Sequence, residues 1–210
     1  NGGENTQEKR YFAKVLWGGL LKSRKSAALP GAKIYPPTLT NSDLANIKIA
    51  KEMGVTGVMQ PFVRDHSDLE RVKEALREAG AEDIRLFAKI ENMDGVRKLE
   101  KLLPAADEIV IARGDLGNAV HLWDLPGVQR QISEKCRAAG KPFMVVTQML
   151  ASMERSPVPT RAEVNDIFHA VMDGAASIMV TGETAVGDYP VEVIRYMVNT
   201  VRSAEKEENR

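Results

Sequence analysis

Residues 87–117 read FAKIENMDGVRKLEKLLPAADEIVIARGDLG. Two short apolar runs in this stretch end in charge: Leu86-Phe87-Ala88 leads into Lys89-Ile90-Glu91, and Ile109-Val110-Ile111 leads into Arg113-Gly114-Asp115. The residues between them carry the spacing of one amphipathic helix. Side chains alternate faces along a strand, so Lys89 and Glu91 point the same way. A base and an acid side by side, with a second acid one βα unit later and all at strand C-terminal ends, is an active-site layout for an α/β barrel.

Working outward, the same rhythm repeats. A helix is expected over about Ser42–Met53, with Leu44, Ile47 and Ile49/Ala50 inward and Gly54 as its stop, followed by a strand over Thr56–Phe62. Ser67-Asp68-Leu69-Glu70 reads as a capping box opening a helix that carries Leu69, Val72, Leu76 and Ala79 on one face and ends at Gly80. Strand Ile84–Lys89, helix Met93–Leu103 and strand Glu108–Ala112 follow, then a helix from about Pro126 to Ala139 and strand Pro142–Thr147. Thr160-Arg161-Ala162-Glu163 is a second capping box, its helix burying Val164, Ile167/Phe168 and Val171. After strand Ser177–Thr181, Pro190 suits the first position of a last helix that buries Val191, Ile194, Met197/Val198 and Val201. Five strand–helix alternations with nearly continuous apolar strands predict a parallel sheet covered by helices. A doubly wound sheet would want a glycine-rich first turn after an early strand, and the sequence has none.

Lys plus Arg (29) equals Asp plus Glu (29), so no basic field points to nucleic acid. The apolar runs are strand-sized, so no membrane span is expected. The single cysteine, Cys136, allows no internal disulfide and fits a reducing, cytoplasmic compartment. It falls on the apolar side of a helix and reads as a buried thiol. His66, His121 and His169 read as structural or surface residues. On pattern alone Lys89 with Glu91 is either a structural ion pair or half of a catalytic site, and Asp115 either a cap or a ligand. As ligands, Glu91 and Asp115 would hold a hard divalent cation through oxygen. Lys89 would then neutralise an enolate or a phosphoryl group in flight, and the amides of Gly114 and Asp115 would hold a substrate carboxylate.

Several longer strings resemble one family. KIEN (Lys89–Asn92), ARGDLG (Ala112–Gly117), TQMLASM (Thr147–Met153), PTRAE (Pro159–Glu163) and GETAVGDYP (Gly182–Pro190) resemble pyruvate kinase in order and approximate spacing. GGLLKSRKSAALPG (Gly18–Gly31) and PFVRDHSDLERV (Pro61–Val72) resemble it more weakly. The resemblance implies a (β/α)8 TIM barrel, of which about five βα units stand here, with residues 1–30 an N-terminal extension or turn region and residues 31–210 the barrel domain. It implies that Lys89 stabilises the transferring phosphoryl group and the enolate, and that Glu91 and Asp115 bind Mg²⁺ or Mn²⁺. Gly114, Asp115 and Thr147 would hold the substrate carboxylate, with Thr147 also near the face where enolpyruvate is protonated.

The same resemblance implies a small-molecule substrate, a 2-oxo acid or enol phosphate, and glycolytic chemistry. The family's first three strands, lid, phosphoryl-gripping Arg, monovalent-cation ligands and C-terminal domain have no counterpart in this sequence. K⁺ is therefore expected only if the missing strands are supplied. Five strands cannot close an eight-stranded barrel, and open edges invite pairing, so a homo-oligomer or a second chain completing the barrel is expected. Three functions follow as expectations: phosphoryl transfer to ADP through a metal-bound enolate, a metal-dependent aldolase or decarboxylase acting on a 2-oxo acid, or a non-catalytic subunit.

Overall fold

Each of the five apolar runs forms a strand, and each strand hydrogen-bonds the next in chain order. They are β1 (Gly57–Gln60), β2 (Arg85–Ile90), β3 (Glu108–Ala112), β4 (Phe143–Val146) and β5 (Ser177–Met179), all parallel, in the order β1-β2-β3-β4-β5. A computed structural model describes residues 14–16, 18–20, 23 and 36–208 of the chain. The turns and short strands expected over Tyr11–Ile34, most of Gly18–Gly31 and the domain boundary at residue 30 lie outside the described residues.

The helices are α1 (Asn41–Ala50), α2 (His66–Glu78), α3 (Met93–Arg97), α4 (Leu99–Leu102), α5 (Arg113–Ala119), α6 (Leu125–Ala138), α7 (Arg161–Met172), α8 (Gly182–Ala185) and α9 (Pro190–Glu208). A doubly wound sheet reverses its strand order at a switch point. This sheet does not, so it is an arc of a TIM-type barrel.

Burial along β2 shows the two faces of that arc. Leu86, Ala88 and Ile90 are buried, whereas Phe87 and Lys89 are half-buried. The buried face joins Ile109, Ile111 and Val145 to Leu69, Leu99, Ile132 and Ile167 in the main core. On the other face Val110, Ala112 and Val146, with Phe87, Met144 and Met179, form a smaller apolar cluster. Below it, at the N-terminal end of the strands, Glu108 accepts hydrogen bonds from Arg85 (3.2 Å) and Ser177 (2.6 Å).

Several local expectations are corrected. Leu44 and Ile49 are exposed, and Ile47 and Ala50 alone carry the buried face of α1. The cap of α2 is Asp65, whose carboxylate accepts from the Ser67 amide at 3.0 Å, so Ser67 lies inside the helix. The helix expected over Met93–Leu103 breaks at Lys98 (φ −98°, ψ 10°) and ends in a 3-10 turn, Leu103–Ala105. Pro104 has no amide to carry the α-helical ladder onward. The buried residues of α9 include Val193, Thr200 and Ala204, while Val191, Ile194 and Val198 are exposed. The face keeps the expected Met197 and Val201, half-buried against the core, and turns Val191, Ile194 and Val198 outward.

One buried charge ties α2 to the loop before it. Asp68 accepts from the Arg64 amide (2.9 Å), Arg64 Nε (3.1 Å), Arg64 Nη2 (2.6 Å) and Thr38 Oγ1 (2.6 Å). Burial pushes its carboxyl up, but the bonds from Arg64 and Thr38 outweigh it and hold the pKa down at about 2, from 3.8. A depressed carboxylate pKa stabilises the fold above the unfolded-state value, and the gain is lost as pH falls through the folded value. Unfolding free energy measured against pH should therefore fall by about 2 kcal/mol between roughly pH 5 and pH 2 on account of this group. Asp68→Asn should be less stable at pH 7 and lose that part of the acid limb.

Candidate active site

The C-terminal ends of β2, β3 and β4 carry the charged and polar groups singled out in the sequence. At the end of β2, Lys89 Nζ lies 2.8 Å from Glu91 Oε1, with the two side chains 25% and 2% exposed. A carboxylate this buried is costly unless its lone pairs are taken. Here Oε1 meets the ammonium and Oε2 accepts the Phe62 amide at 2.7 Å. Phe62 follows β1 in a left-handed conformation, φ 50°, which bulky residues rarely adopt and which accompanies the aim of its N–H at Glu91.

Asn92 completes this corner. Its Oδ1 accepts the Gly95 amide at 2.9 Å, capping α3, and its Nδ2 donates to the Val63 carbonyl at 3.1 Å. Gly95 is the residue that permits the approach, because a Cβ there would stand 2.7 Å from the Val63 oxygen. In KIEN, Lys89 and Glu91 therefore carry charge to the rim while Asn92 fastens the loop after β1 to the end of β2.

β3 passes directly into α5 at Arg113, a short helix that the strand–helix rhythm did not announce. Asp115 sits exposed in its first turn. The Gly114 amide, expected to hold a substrate carboxylate, donates to Thr147 Oγ1 at 2.8 Å. Thr147 follows β4 with φ 76°, and Gln148 follows it with φ 53°. A β-branched residue in that region is an outlier costing on the order of 1–3 kcal/mol. The Thr147 hydroxyl donates to the Val146 carbonyl at 2.5 Å, leaving one lone pair free for a ligand donor.

Residues that strand parity did not single out hold Thr147 and the segment after it. Arg113 Nη2 donates to the Thr147 carbonyl and to Met149 Sδ, each at 2.8 Å, and Nη1 reaches both oxygens of Asp166 at 2.8 and 2.6 Å. Glu183, 2% exposed, accepts the Thr181 amide at 2.8 Å and the Leu150 amide at 3.2 Å. Burial pushes the Glu183 carboxyl up, but bonds from the Thr181, Glu183, Leu150 and Met149 amides hold it below the usual range. Glu163, in the cap of α7, also accepts from the Ser152 amide (2.7 Å) and hydroxyl (2.6 Å). A charged residue inside a glycine-flanked string, as Glu183 is in GETA, was the available signal.

The other candidates fall elsewhere. His121 stacks on Trp123 with ring centroids 4.7 Å apart, His169 meets Phe168 edge-on, and His66 faces Glu70. Cys136 is buried, and burial pushes its thiol up to about 12, beyond use as a nucleophile. Among the described residues no group of three or more His, Cys, Asp or Glu is placed to hold a metal ion. The carboxylates Glu91 and Asp115 offer oxygen only. That donor set suits Mg²⁺ or Mn²⁺, which keep waters and take further ligands from a substrate, and does not suit a structural zinc. The ammonium on Glu91 Oε1 marks that oxygen as one that meets positive charge.

Comparison with known proteins agrees with this layout. The sequence model of the family described as Pyruvate kinase, barrel domain, matches residues 3–194. A curated protein named Pyruvate kinase from Bacillus licheniformis is 40% identical over 202 residues, covering 96% of this chain and 34% of the relative. Its counterpart from Geobacillus stearothermophilus is 42% identical over 183 residues, covering 87% and 31%. That from Candida albicans is 40% identical over 199 residues, covering 95% and 39%. The chain thus spans about a third of the length of the curated relatives it matches.

The role of Glu183 as a buried acceptor is open to a direct check. Glu183→Gln turns a carboxylate oxygen toward backbone donors into an amide nitrogen. It should lower the unfolding free energy in urea by about 2–3 kcal/mol. Glu82→Gln, an exposed change in the turn between α2 and β2, should stay within about 0.5 kcal/mol.

Proposed function

The chain belongs to the pyruvate kinase family, and from that premise we propose that these βα units carry the enolate-handling part of a pyruvate kinase-type phosphoryl transfer. The single observation behind this reading is the buried Glu91 carboxylate paired with a half-exposed Lys89 at 2.8 Å, one strand away from Asp115. The reaction moves a phosphoryl group from the enol oxygen of phosphoenolpyruvate to ADP. The P–O bond to the enol oxygen breaks, a P–O bond to ADP forms, and the methylene carbon of the resulting enolate takes a proton to give the methyl of pyruvate.

In this reading Lys89 faces the reacting group with Glu91 fixing its aim, and it offsets negative charge on the phosphoryl oxygens and then on the enolate oxygen. Glu91 and Asp115 would hold a divalent cation, Mg²⁺ or Mn²⁺, supplying positive charge beside the substrate's carboxylate and oxo oxygens. Thr147 and the Asp115 amide orient the carboxylate, while the Gly114 amide, which donates to Thr147 Oγ1, holds the hydroxyl rather than the substrate. The Thr147 hydroxyl proton, engaged with the Val146 carbonyl, must turn away from that carbonyl to serve in the protonation step.

The barrel is completed by strands that pair with the outer edges of β1 and β5, which have no partner among the described residues. Those strands come from the same protein, a second copy or a second chain, and K⁺ binding would depend on them. No helix of the described residues is long and apolar enough to cross a membrane. A cytoplasmic setting is proposed on the single buried cysteine.

Lys89→Met should reduce phosphoenolpyruvate-dependent phosphorylation of ADP on the order of 10²-fold or more. Full turnover in that variant would sink the role given to Lys89. Deuterium exchange at the pyruvate methyl with Mn²⁺ but no transfer to ADP would favour the lyase reading. Neither activity, together with no thermal stabilisation by Mn²⁺ and oxalate, would favour the non-catalytic one.

A further inference from the structure

We propose that Arg113 is a positioning residue that holds the Thr147 hydroxyl on its target, with Asp166 as its anchor; this rests on the role given to Thr147 above. Thr147 and Gln148 lie consecutively in the left-handed region, at φ 76° and 53°. Neither is glycine, so the turn has no conformational reason of its own to stay there. Something outside it must hold it, and a strained backbone persists only when its surroundings over-determine it.

The surroundings are supplied by one dipeptide. Arg113 donates to the Thr147 carbonyl at 2.8 Å, and the next residue, Gly114, donates its amide to Thr147 Oγ1 at 2.8 Å. The backbone and the side chain of Thr147 are thus both gripped from the start of α5. A second contact of the same guanidinium nitrogen, on Met149 Sδ at 2.8 Å, fixes the turn two residues later.

The guanidinium is itself fixed. Asp166, on α7, takes Arg113 Nη1 with both oxygens at 2.8 and 2.6 Å, and the Arg113 side chain is 11% exposed. A planar fork can serve a carboxylate with one nitrogen and a carbonyl with the other. A lysine ammonium at this position cannot span both partners in one geometry. The clamp therefore requires arginine and joins β3, β4 and α7.

The test reads Thr147 without needing turnover. In ¹⁵N-labelled protein with ¹³C-methyl threonine, Arg113→Lys and, separately, Asp166→Asn should each speed hydrogen exchange of the Gly114 amide by about tenfold or more. Each should also shift the Thr147 methyl resonance. Arg155→Lys, which alters an exposed ion pair with Asp188 of similar length (2.8 Å), should change neither. Unchanged Gly114 exchange and an unchanged Thr147 methyl in Asp166→Asn, which leaves the arginine in place and disturbs the fold least, would overturn the proposal. If the parent protein, with the strands that complete the barrel, folds but turns over no phosphoenolpyruvate, the functional reading of Thr147 fails while this positioning test keeps its meaning. If it does turn over, kcat of Arg113→Lys should fall by about tenfold or more with a smaller change in KM.

Discussion

Glu91 carries a charge that water scarcely reaches, and much of the rim is arranged around keeping it there. Its two oxygens are taken by Lys89 and by the Phe62 amide. The second of these bonds accompanies a left-handed residue at the end of β1. The loop beyond it is held by Asn92 through the Val63 carbonyl, and Gly95 leaves room for that carbonyl. A buried charge thus goes together with a backbone conformation, a helix cap and a glycine on two neighbouring βα units.

The second constraint is the order of the sheet. Strands that pair strictly in sequence, with helices on one face, bring every strand C-terminus to one edge. Lys89, Asp115 and Thr147 come from three successive units, yet they need no long loops to share that edge. The cost falls on the turns. Three non-glycine residues with positive φ follow strands on this edge, Phe62 after β1 and Thr147 and Gln148 after β4. Buried or half-buried charges (Glu91, Arg113, Glu183) accept or donate around them.

Much of this was legible in the sequence. Near-continuous apolar strands and glycine helix stops announced the five units, and strand parity put Lys89 and Glu91 on one face. What stayed hidden has physical causes. Left-handed backbone at Phe62 and Thr147 has no compositional sign, because neither residue prefers it. Arg113 and Asp166 are 53 positions apart, and only the sheet brings them together. The exposed Leu44 and Ile49, and the outward Val191 and Ile194 of α9, depart from simple periodicity, because burial follows the neighbours each helix meets: among the described residues α1 packs on α2, and α9 on α7 and α8. Ser67 looked like a cap because Asp65, two residues earlier, offers the same chemistry and takes the position.

The most direct measurement is the anomalous difference density of Mn²⁺ in crystals of the protein soaked with Mn²⁺ and oxalate, a mimic of enolpyruvate. Expected is one strong peak within bonding distance of a Glu91 oxygen and an Asp115 oxygen, with oxalate also reaching Lys89 or Thr147. A well-diffracting crystal with no peak at those carboxylates, or with the metal bound elsewhere, would contradict the assignment of this strand edge as a cation-assisted enolate site.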